Sequence, residues 1–356
     1  MGPFDRRPIP DYFIASPLVA LLYPVHQTLL RLRGSPRLPP PDARPIRVVC
    51  ISDTHTLEWP DIPDGDLLIH AGDLSNDGSA REIQANVDWL QSLPHPHKIA
   101  ICGNHDSYFD KTKKSQPQPA PPSPPSPHPP PQSTPSTTQA PPTSTGATST
   151  TSNIPPLHSS NPNNPLNSTR PRSLTIYGAP QIPAIVPFGP EHAFTYPPQH
   201  DAWSGTIPQE TDILVTHTPP QSHLDLSPIY STGCPNLLAE SWRVRPALHV
   251  FGHVHESSGQ EPIFWDEAQR GWERLCASRR PRARLGRLAS LAGFLRDLFD
   301  LSGWADAARV VVYGILGMVW AHVWGGESRG GGWMVNAACM YSSSGRLGNP
   351  PRVFNL

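Results

Sequence analysis

The stretch Val48-Val49-Cys50-Ile51-Ser52-Asp53-Thr54-His55 places a short apolar run directly before two side chains that bind metals. The apolar part has the length and the β-branched content of a buried strand. The same pattern of an apolar run followed by polar residues occurs in four further segments, 67–73, 99–106, 213–217 and 248–255. Because ligands bind at the carboxyl ends of strands in open α/β sheets, we expect all five polar ends to meet on one rim of a sheet.

The polar ends predict a particular kind of metal site. They offer carboxylate and amide oxygens and imidazole nitrogens, but no thiolate: Asp53, His55, Asp73, Asn104, His217, His253 and His255. Such a mixture is typical of sites for Mn, Fe or Zn, and it differs from the thiolate ligands of structural zinc sites. Seven ligands exceed one tetrahedral ion, so the sequence predicts two divalent ions roughly 3.5–4 Å apart, a spacing that serves displacement at phosphorus.

The order Asp-x-His, Gly-Asp, Gly-Asn-His-Asp, Thr-His and Gly-His-x-His resembles the calcineurin-like metallophosphoesterase superfamily. The sequence around these blocks is similar to that of the small subfamily of metallophosphoesterase-domain-containing proteins, as in Leu68-Ile69-His70-Ala71-Gly72-Asp73 and Val215-Thr216-His217-Thr218-Pro219-Pro220. The similarity continues to Asn349-Pro350-Pro351-Arg352-Val353-Phe354 near the C-terminus. It implies an α/β fold in which a layered sandwich of β-sheets is flanked by helices, here with long insertions.

The resemblance also implies a role for each ligand. The first ion would be held by Asp53, His55 and His255, and the second by Asn104, His217 and His253. Asp73 would bridge the two ions, and His105 resembles the general acid that protonates the leaving oxygen. For Asp106 two roles stay open, orienting His105 or capping its loop, and His223 is a weaker candidate for a substrate contact.

The reaction implied by the resemblance is hydrolysis of a small phosphoester by a metal-bound hydroxide. A phosphodiester is favoured, because Asp73-Leu74-Ser75-Asn76 lacks the arginine that protein phosphatases of the superfamily carry after this aspartate. The resemblance to the subfamily implies cyclic nucleotides as candidate substrates. The alternative is a non-catalytic nucleotide sensor or a membrane-surface scaffold that retains the fold. The presence of all seven ligands and of His105 favours the enzyme.

The composition divides the chain into parts. Residues 115–170 are rich in Pro, Ser and Thr, with almost no large apolar side chain, so they are predicted to be a disordered insertion. Residues 1–45 form an N-terminal arm, and 46–356 form the metallophosphoesterase domain, interrupted by 115–170 and by a helical insertion at 281–332. Without the arm and the insertions roughly 200 residues remain, which is ample for one core.

The insertion at 281–332 begins with arginines and apolar residues at helical spacing and continues into an uncharged run at 310–324. That run is shorter than the roughly 20 residues needed to span a bilayer. Three alternatives stay open: an interfacial membrane anchor, a helical cap over the domain or over a homodimer partner, and a full transmembrane span. The arm at 1–45 likewise lies either on the domain or at a membrane surface.

The charge balance and the cysteines restrict the surroundings of the protein. A formal net charge of −1 argues against a dedicated nucleic-acid partner. The five cysteines are odd in number and contain no Cys-x-x-Cys pair, which favours a reducing intracellular compartment, with membrane association left open.

Overall fold

The computed structural model describes residues 8–37, 44–110, 148–154, 172–184, 193–228, 230–279, 288–324, 330–342 and 344–356. Its strands are β1 (Arg47–Ile51), β2 (Leu67–His70), β3 (His97–Ala100), β4 (Thr148–Ile154), β5 (Arg172–Ala179), β6 (Ile182–Pro183), β7 (Thr195–Tyr196), β8 (Ile213–Thr216), β9 (Leu248–Phe251), β10 (Gly259–Phe264), β11 (Gly331–Asn336) and β12 (Arg352–Asn355). Its α-helices are α1 (Ile9–Ala15), α2 (Pro17–Arg33), α3 (Ala80–Ser92), α4 (Pro235–Val244), α5 (Glu267–Arg279), α6 (Leu288–Phe299) and α7 (Leu301–Val323).

Two sheets face each other across the main core. One has the order β12-β1-β2-β3 and the other the order β10-β11-β9-β8-β5-β4, and β6 and β7 form a separate pair. Alternate residues of both sheets meet between them, for example Val48 and Ile69 from the first and Val215 and Val250 from the second. Helix α3 covers the outer face of the first sheet, and α4 covers that of the second. The predicted layered sandwich of sheets flanked by helices is confirmed.

The five ligand-bearing strands do not belong to one sheet, which corrects the expectation of a single rim. Strands β1, β2 and β3 lie in parallel in the first sheet, whereas β8 and β9 are parallel neighbours in the second. The sheets approach each other where Ser52 forms a bridge with Ala338 and accepts a hydrogen bond from the backbone N–H of Cys339 at 2.8 Å. Fully apolar runs identify buried strands but do not indicate which strands pair with each other. The sequence therefore did not reveal that the five strands are divided between two sheets.

The helix after the Gly-Asp block is capped as its sequence predicts. The Ser79 hydroxyl accepts a hydrogen bond from the N–H of Glu82 at 3.3 Å. The Glu82 carboxylate accepts from the N–H groups of Asn76 and Asp77 instead of from that of Ser79. Glu82 therefore ties the start of α3 to the loop that follows β2.

The prediction for 115–170 is corrected at Thr148–Ile154, which form β4 on the edge of the second sheet. Thr148 pairs with Gly178 and Ile154 with Arg172 in an antiparallel register. The physical reason is the threonine-rich sequence, since β-branched residues favour an extended backbone. The rest of that prediction, at 115–147 and 155–170, lies outside the described residues.

The N-terminal arm and the second insertion pack together as one helical layer. Val19 and Leu22 of α2 share a buried cluster with Trp272 of α5 and Val310 of α7. In the described part of the insertion, Leu288–Phe299 and Leu301–Val323 are helical, whereas Gly331 and Gly332 begin β11. Arg279 of α5, just before the insertion, is buried against Asp297 and Asp300. By length and composition α7 could cross a membrane.

Candidate metal centre

The first group of ligand-type side chains joins the two sheets. Asp53 and His55 follow β1, His255 follows β9, and one ligand atom from each lies within 4.8 Å of the other two. The Nε2 atom of His255 is 3.2 Å from Oδ1 of Asp53. Asp53 and His55 are buried, and His255 is half-buried. The sequence interpretation placed these same three residues together.

The second group lies beside the first and includes Asp73, His217 and His253, whose ligand atoms are again within 4.8 Å of one another. The Nε2 atom of His217 is 2.9 Å from Oδ1 of Asn104. Asp73 stands between the groups, because its Oδ2 atom is 3.4 Å from Nε2 of His217 and 3.7 Å from Nε2 of His55. All seven side chains named from the sequence are therefore brought together.

Backbone carbonyl groups orient several of the imidazole rings. The Nδ1–H of His217 donates to the carbonyl oxygen of Ala71 at 2.9 Å, and that of His255 donates to Ser342 at 2.8 Å. These bonds leave Nε2 of each ring facing a carboxylate, the arrangement by which metal-binding histidines are usually fixed. The Ser342 carbonyl has no counterpart in the sequence interpretation, because a backbone acceptor gives no residue-type signal.

The backbone is strained at the ligands themselves. Asp53, His55, Asp73 and His253 have φ angles of 52°, 47°, 54° and 67°, in the left-handed region that residues with a Cβ rarely adopt. Such strain collects at functional sites, where the surrounding structure holds it in place. A glycine is also required at position 252, because a Cβ there would overlap the Asp53 carboxylate.

Charge coupling keeps the two carboxylates ionised. Burial by itself would raise the pKa of Asp53 and of Asp73, but His255 and His217 respectively outweigh burial, and both pKa values lie below the usual range. Burial opposes protonation of these two histidines, yet the neighbouring carboxylates raise the pKa of His217 and of His255 to about 9 each. Burial and the charge of His217 lower the pKa of His253 to about 3.

The donor set fits divalent transition-metal ions. The Nε2 atom of His55 is buried with no hydrogen-bond partner, and it faces Asp73. A buried ring nitrogen without a partner costs free energy unless a cation takes its lone pair. Carboxylate, amide and imidazole ligands without thiolate favour ions such as Mn, Fe or Zn.

His105 lies at the edge of this centre. Its backbone N–H donates to Oδ1 of Asp73 at 2.9 Å, and its ring centroid is 4.8 Å from that of His55. Its Nδ1–H donates to the carbonyl oxygen of Asn76 at 2.9 Å, which fixes the ring. One ring nitrogen also lies within 4.8 Å of ligand atoms of His55 and Asp73.

Asp106 connects two of the ligand loops. Its buried carboxylate accepts from the backbone N–H groups of Gly103, Leu74 and Ser75 at 2.8, 3.2 and 2.9 Å, and from the Ser75 hydroxyl at 2.7 Å. These bonds favour the loop-capping alternative for Asp106. The loop that carries Asp73 is thereby held against the loop that carries Asn104.

The structure places His223 between two carboxylates, whereas the sequence interpretation made it a weak candidate for a substrate contact. The side chain is buried, and its two ring nitrogens lie 2.6 Å from Glu261 and 3.0 Å from Glu273. Burial opposes protonation, but the two carboxylates raise the pKa of His223 to about 10. Its position shortly after His217 suggested proximity to the centre, but its two ring nitrogens contact Glu261 and Glu273, which lie in distant parts of the sequence.

Two further histidines support the ligand loops from within the core. Nε2 of His70 is 3.0 Å from the Thr54 hydroxyl, and Nε2 of His249 is 2.9 Å from the Thr216 hydroxyl. Burial lowers the pKa of His70 to about 4 and of His249 to about 3, so both are neutral. Each threonine adjoins a ligand in sequence, so these histidines help to position Asp53, His55 and His217.

Comparisons with known proteins agree with this geometry. A family model described as calcineurin-like phosphoesterase matches residues 46–257. The chain is 35% identical to metallophosphoesterase domain-containing protein 1 of Homo sapiens over 228 residues, which are 60% of this chain and 61% of that protein. It is 31% identical to a UPF0046 protein of Caenorhabditis elegans over 230 residues, 64% of this chain and 69% of that protein.

A third relative bears a different kind of name. The chain is 34% identical over 235 residues to a probable rhamnogalacturonate lyase C of Emericella nidulans, but the match covers 65% of this chain and only 19% of that protein. The lyase name therefore describes a protein of which this chain resembles about a fifth. The family model spans well over half of the present sequence and includes every ligand of the centre, and on that ground this protein belongs to the calcineurin-like phosphoesterase family.

Proposed function

We propose that this protein hydrolyses phosphodiesters, cyclic nucleotides among them, at a centre that binds two divalent metal ions. The observation that carries the proposal is the position of Asp73 between two ligand groups, 3.4 Å from His217 and 3.7 Å from His55. A carboxylate has two oxygens and one negative charge, so it is the side chain best suited to join two cations. Membership of a phosphoesterase family supports metal-dependent phosphoester hydrolysis as the general reaction.

The chain offers ligands for each ion and a separate proton donor. The first ion would take Asp53, His55 and His255, and the second would take Asn104, His217 and His253. When bound, the ions supply an activated water nucleophile and positive charge that offsets the phosphate. His105 would give a proton to the leaving oxygen, and its bond to the Asn76 carbonyl holds the ring for that transfer.

The charges around the centre support a diester over a monoester. In the described part of the chain, no arginine or lysine forms an ion pair with Asp53 or Asp73, whose ionic partners are histidines. A phosphomonoester carries about two negative charges near neutral pH, whereas a diester carries one. Leu74, Ser75 and Asn76 follow Asp73, so no cationic side chain stands there to hold the dianion, and the diester is the better match.

Aromatic side chains beside the centre support a nucleotide as substrate. Tyr108 and Phe109 belong to a 3₁₀ turn just after His105, and both are exposed, with their rings edge-to-face at 5.3 Å. Tyr341 is also exposed, next to the Ser342 carbonyl that orients His255. Exposed rings next to a phosphate-binding centre can stack on a nucleobase.

The test compares diester and monoester substrates on purified full-length protein. After removal of metal by chelation and reloading with Mn²⁺, Fe²⁺ or Zn²⁺, hydrolysis of bis(p-nitrophenyl) phosphate should return and exceed that of p-nitrophenyl phosphate. A panel of 2′,3′- and 3′,5′-cyclic nucleotides then identifies the natural class. Faster hydrolysis of the monoester would contradict the diester proposal, and nucleotide binding without any turnover would favour the sensor alternative.

The aromatic side chains can be tested separately. Tyr341→Ala should raise KM for a cyclic nucleotide about tenfold with little change in kcat, since stacking on a base contributes roughly 1–3 kcal/mol. The matched control is Phe299→Ala, which removes an exposed ring from α6. Equal KM values in both variants would contradict a stacking role for Tyr341.

A further inference from the structure

Large apolar side chains are exposed on one part of this protein far more than elsewhere. In the part of the chain that the structure describes, all but three of them lie on α1, α2, α6 and α7 or at the ends of these helices. The three exceptions are Tyr108, Phe109 and Tyr341. Contiguous apolar surface of this kind marks an interaction site rather than ordinary solvent-exposed surface.

Helix α7 has two different faces. The inner face is a narrow stripe of buried small residues and Val310, and it packs against α5 and α2. The outer face carries Val312, Leu316, Trp320 and Val323 at helical spacing, each between 52% and 64% exposed. Residues 310–324 contain no formally charged side chain. A helix at a water-exposed surface carries polar residues on its outer face. The apolar outer face of α7 therefore indicates contact with an apolar environment.

Helix α6 extends the same kind of surface. Phe294, Leu298 and Phe299 are exposed, and Leu301 at the start of α7 is 82% exposed. The helix is held against the arm, because Arg296 donates to the carbonyl oxygen of Ala15. The outer surface formed by α6 and α7 is hereafter called the outer helical face.

The charges near the outer helical face favour an anionic lipid surface as its partner. Asp300 is paired with Arg279, and Asp306 with Arg274 and Arg309, so these acids are neutralised within the protein. Besides the paired Arg274, Arg279 and Arg296, the sequence from 274 to 296 contains four further arginines, at 280, 282, 284 and 287, and no acidic residue. Exposed Trp304, Trp320 and Trp324 have the amphipathic rings that are enriched where a bilayer meets water.

The contacts of α7 favour docking in the plane of the membrane over spanning it. Its N-cap Asp300 is bound to the buried Arg279 of α5. Farther along, Gly314 allows Leu29 of α2 to approach so closely that a Cβ there would come within 2.8 Å of it. After α7 the chain returns to β11 within the six-stranded sheet. A spanning α7 would have to break these contacts, whereas an in-plane helix keeps them.

We propose that the outer helical face docks this protein on the surface of anionic lipid bilayers, with α6 and α7 lying in the interface. Burial of the apolar side chains and attraction of the arginines to lipid headgroups both contribute to such binding. The proposal does not depend on which phosphoester the centre hydrolyses.

The experiment is flotation of the full-length protein with vesicles of phosphatidylcholine, with and without phosphatidylserine. The protein should float with the vesicles that contain phosphatidylserine, and high salt or alkaline carbonate should release it. The double variant Leu316→Gln/Trp320→Gln should bind these vesicles at least about tenfold more weakly, because it removes two exposed apolar side chains. Both side chains are exposed, so the unfolding midpoint should stay unchanged.

The control and the contrary outcomes separate other partners. Phe109→Gln, which removes an exposed ring outside the outer helical face, should float as the wild type does. Wild-type protein that stays in solution with every vesicle would overturn the proposal. So would a dimer that the double variant converts to a monomer, which would assign the face to a second copy. Resistance to alkaline carbonate would overturn docking in the plane and indicate a spanning helix.

Discussion

Nε2 of His217 lies 3.4 Å from Oδ2 of Asp73, although the two residues follow strands of different sheets. Asp73 faces His55 of the first ligand group through the same oxygen. The sharing of one carboxylate by two groups determines which substitutions should disable metal binding and which should disable catalysis alone.

Asp73→Asn should abolish phosphoester hydrolysis and lower metal content together. The substitution removes the charge that two cations would share, and we expect a loss of metal affinity of at least about a hundredfold, since even residues that only support ligands contribute 10–100-fold. Metal analysis of the purified variant and the diester assay measure both effects. Asp88→Asn, at an exposed position of α3, is the matched control, and an active Asp73→Asn would disprove the bridging role.

His105→Ala should retain both ions and slow turnover by about 10²–10⁴-fold, the usual contribution of a general acid. The loss should shrink for substrates whose leaving groups need no proton. Comparison of a p-nitrophenyl diester with an alkyl diester measures this difference. Because a ring nitrogen of His105 lies within reach of His55 and Asp73, loss of one ion from the variant would instead identify it as a ligand.

Metal binding should release protons near neutral pH. Without a cation the carboxylates raise the pKa of His217 and His255 to about 9, so both rings are protonated at neutral pH and must lose that proton to bind metal. Metal affinity should therefore increase with pH up to about 9, with about two protons released per chain at neutral pH. Calorimetric titration with Mn²⁺ in buffers of different ionisation enthalpy counts the protons, and a count of zero would contradict the pKa values.

Acid should loosen the N-terminal arm through His26. This residue of α2 stacks on Trp272 at 4.6 Å, and burial, with the charge of His223, lowers its pKa to about 3. Between about 3 and the ordinary 6.5 the unfolded state binds the proton and the folded state does not, so stability falls as pH drops through that window. Hydrogen exchange of 17–33, corrected for the intrinsic rate, should be faster at about pH 5 than at about pH 7.

The substitution His26→Leu should remove this sensitivity to acid. In the described structure neither ring nitrogen of His26 has a hydrogen-bond partner, so leucine forfeits no bond. His200→Leu, at an exposed position, should keep the wild-type response. An unchanged response in His26→Leu would show that another group causes the loosening.

Asp106→Ala should destabilise the fold by at least about 2 kcal/mol, because a buried carboxylate that accepts several hydrogen bonds leaves its donors unsatisfied when removed. The same variant should weaken metal binding, since it frees the loops of Asp73 and Asn104 from each other. Denaturant unfolding and metal analysis measure the two effects. Wild-type stability in the variant would contradict the capping role.

The candidate ligands could be named from the sequence because each follows one of five predicted strands within a few residues. That relationship is local, and Asp53 after β1 or His217 after β8 needs no knowledge of the fold. The strand bounds were less accessible: the apolar run begins at Ile99, but β3 begins at His97, because pairing with Leu67 of β2 sets its start. Pairing is a long-range property that an apolar run does not encode.

Contacts between distant segments account for the other differences. Arg279 lies in an arginine-rich stretch of the sequence, yet it is paired in the interior with Asp297 and Asp300, which stand 18 and 21 positions further on. His223 is likewise paired with Glu261 and Glu273, which come from other parts of the sequence. A charged residue reveals its partner only when the fold brings the two together.

The division of the ligands between two sheets has a mechanical consequence. Asp53 and Asp73 belong to one half of the sandwich, and His217 and His255 belong to the other. Cations bound by residues of both sheets would link the two sheets, so loss of the ions would weaken the contact between the sheets as well as stop the reaction. Removal of metal is therefore expected to lower the stability of the protein as well as its activity.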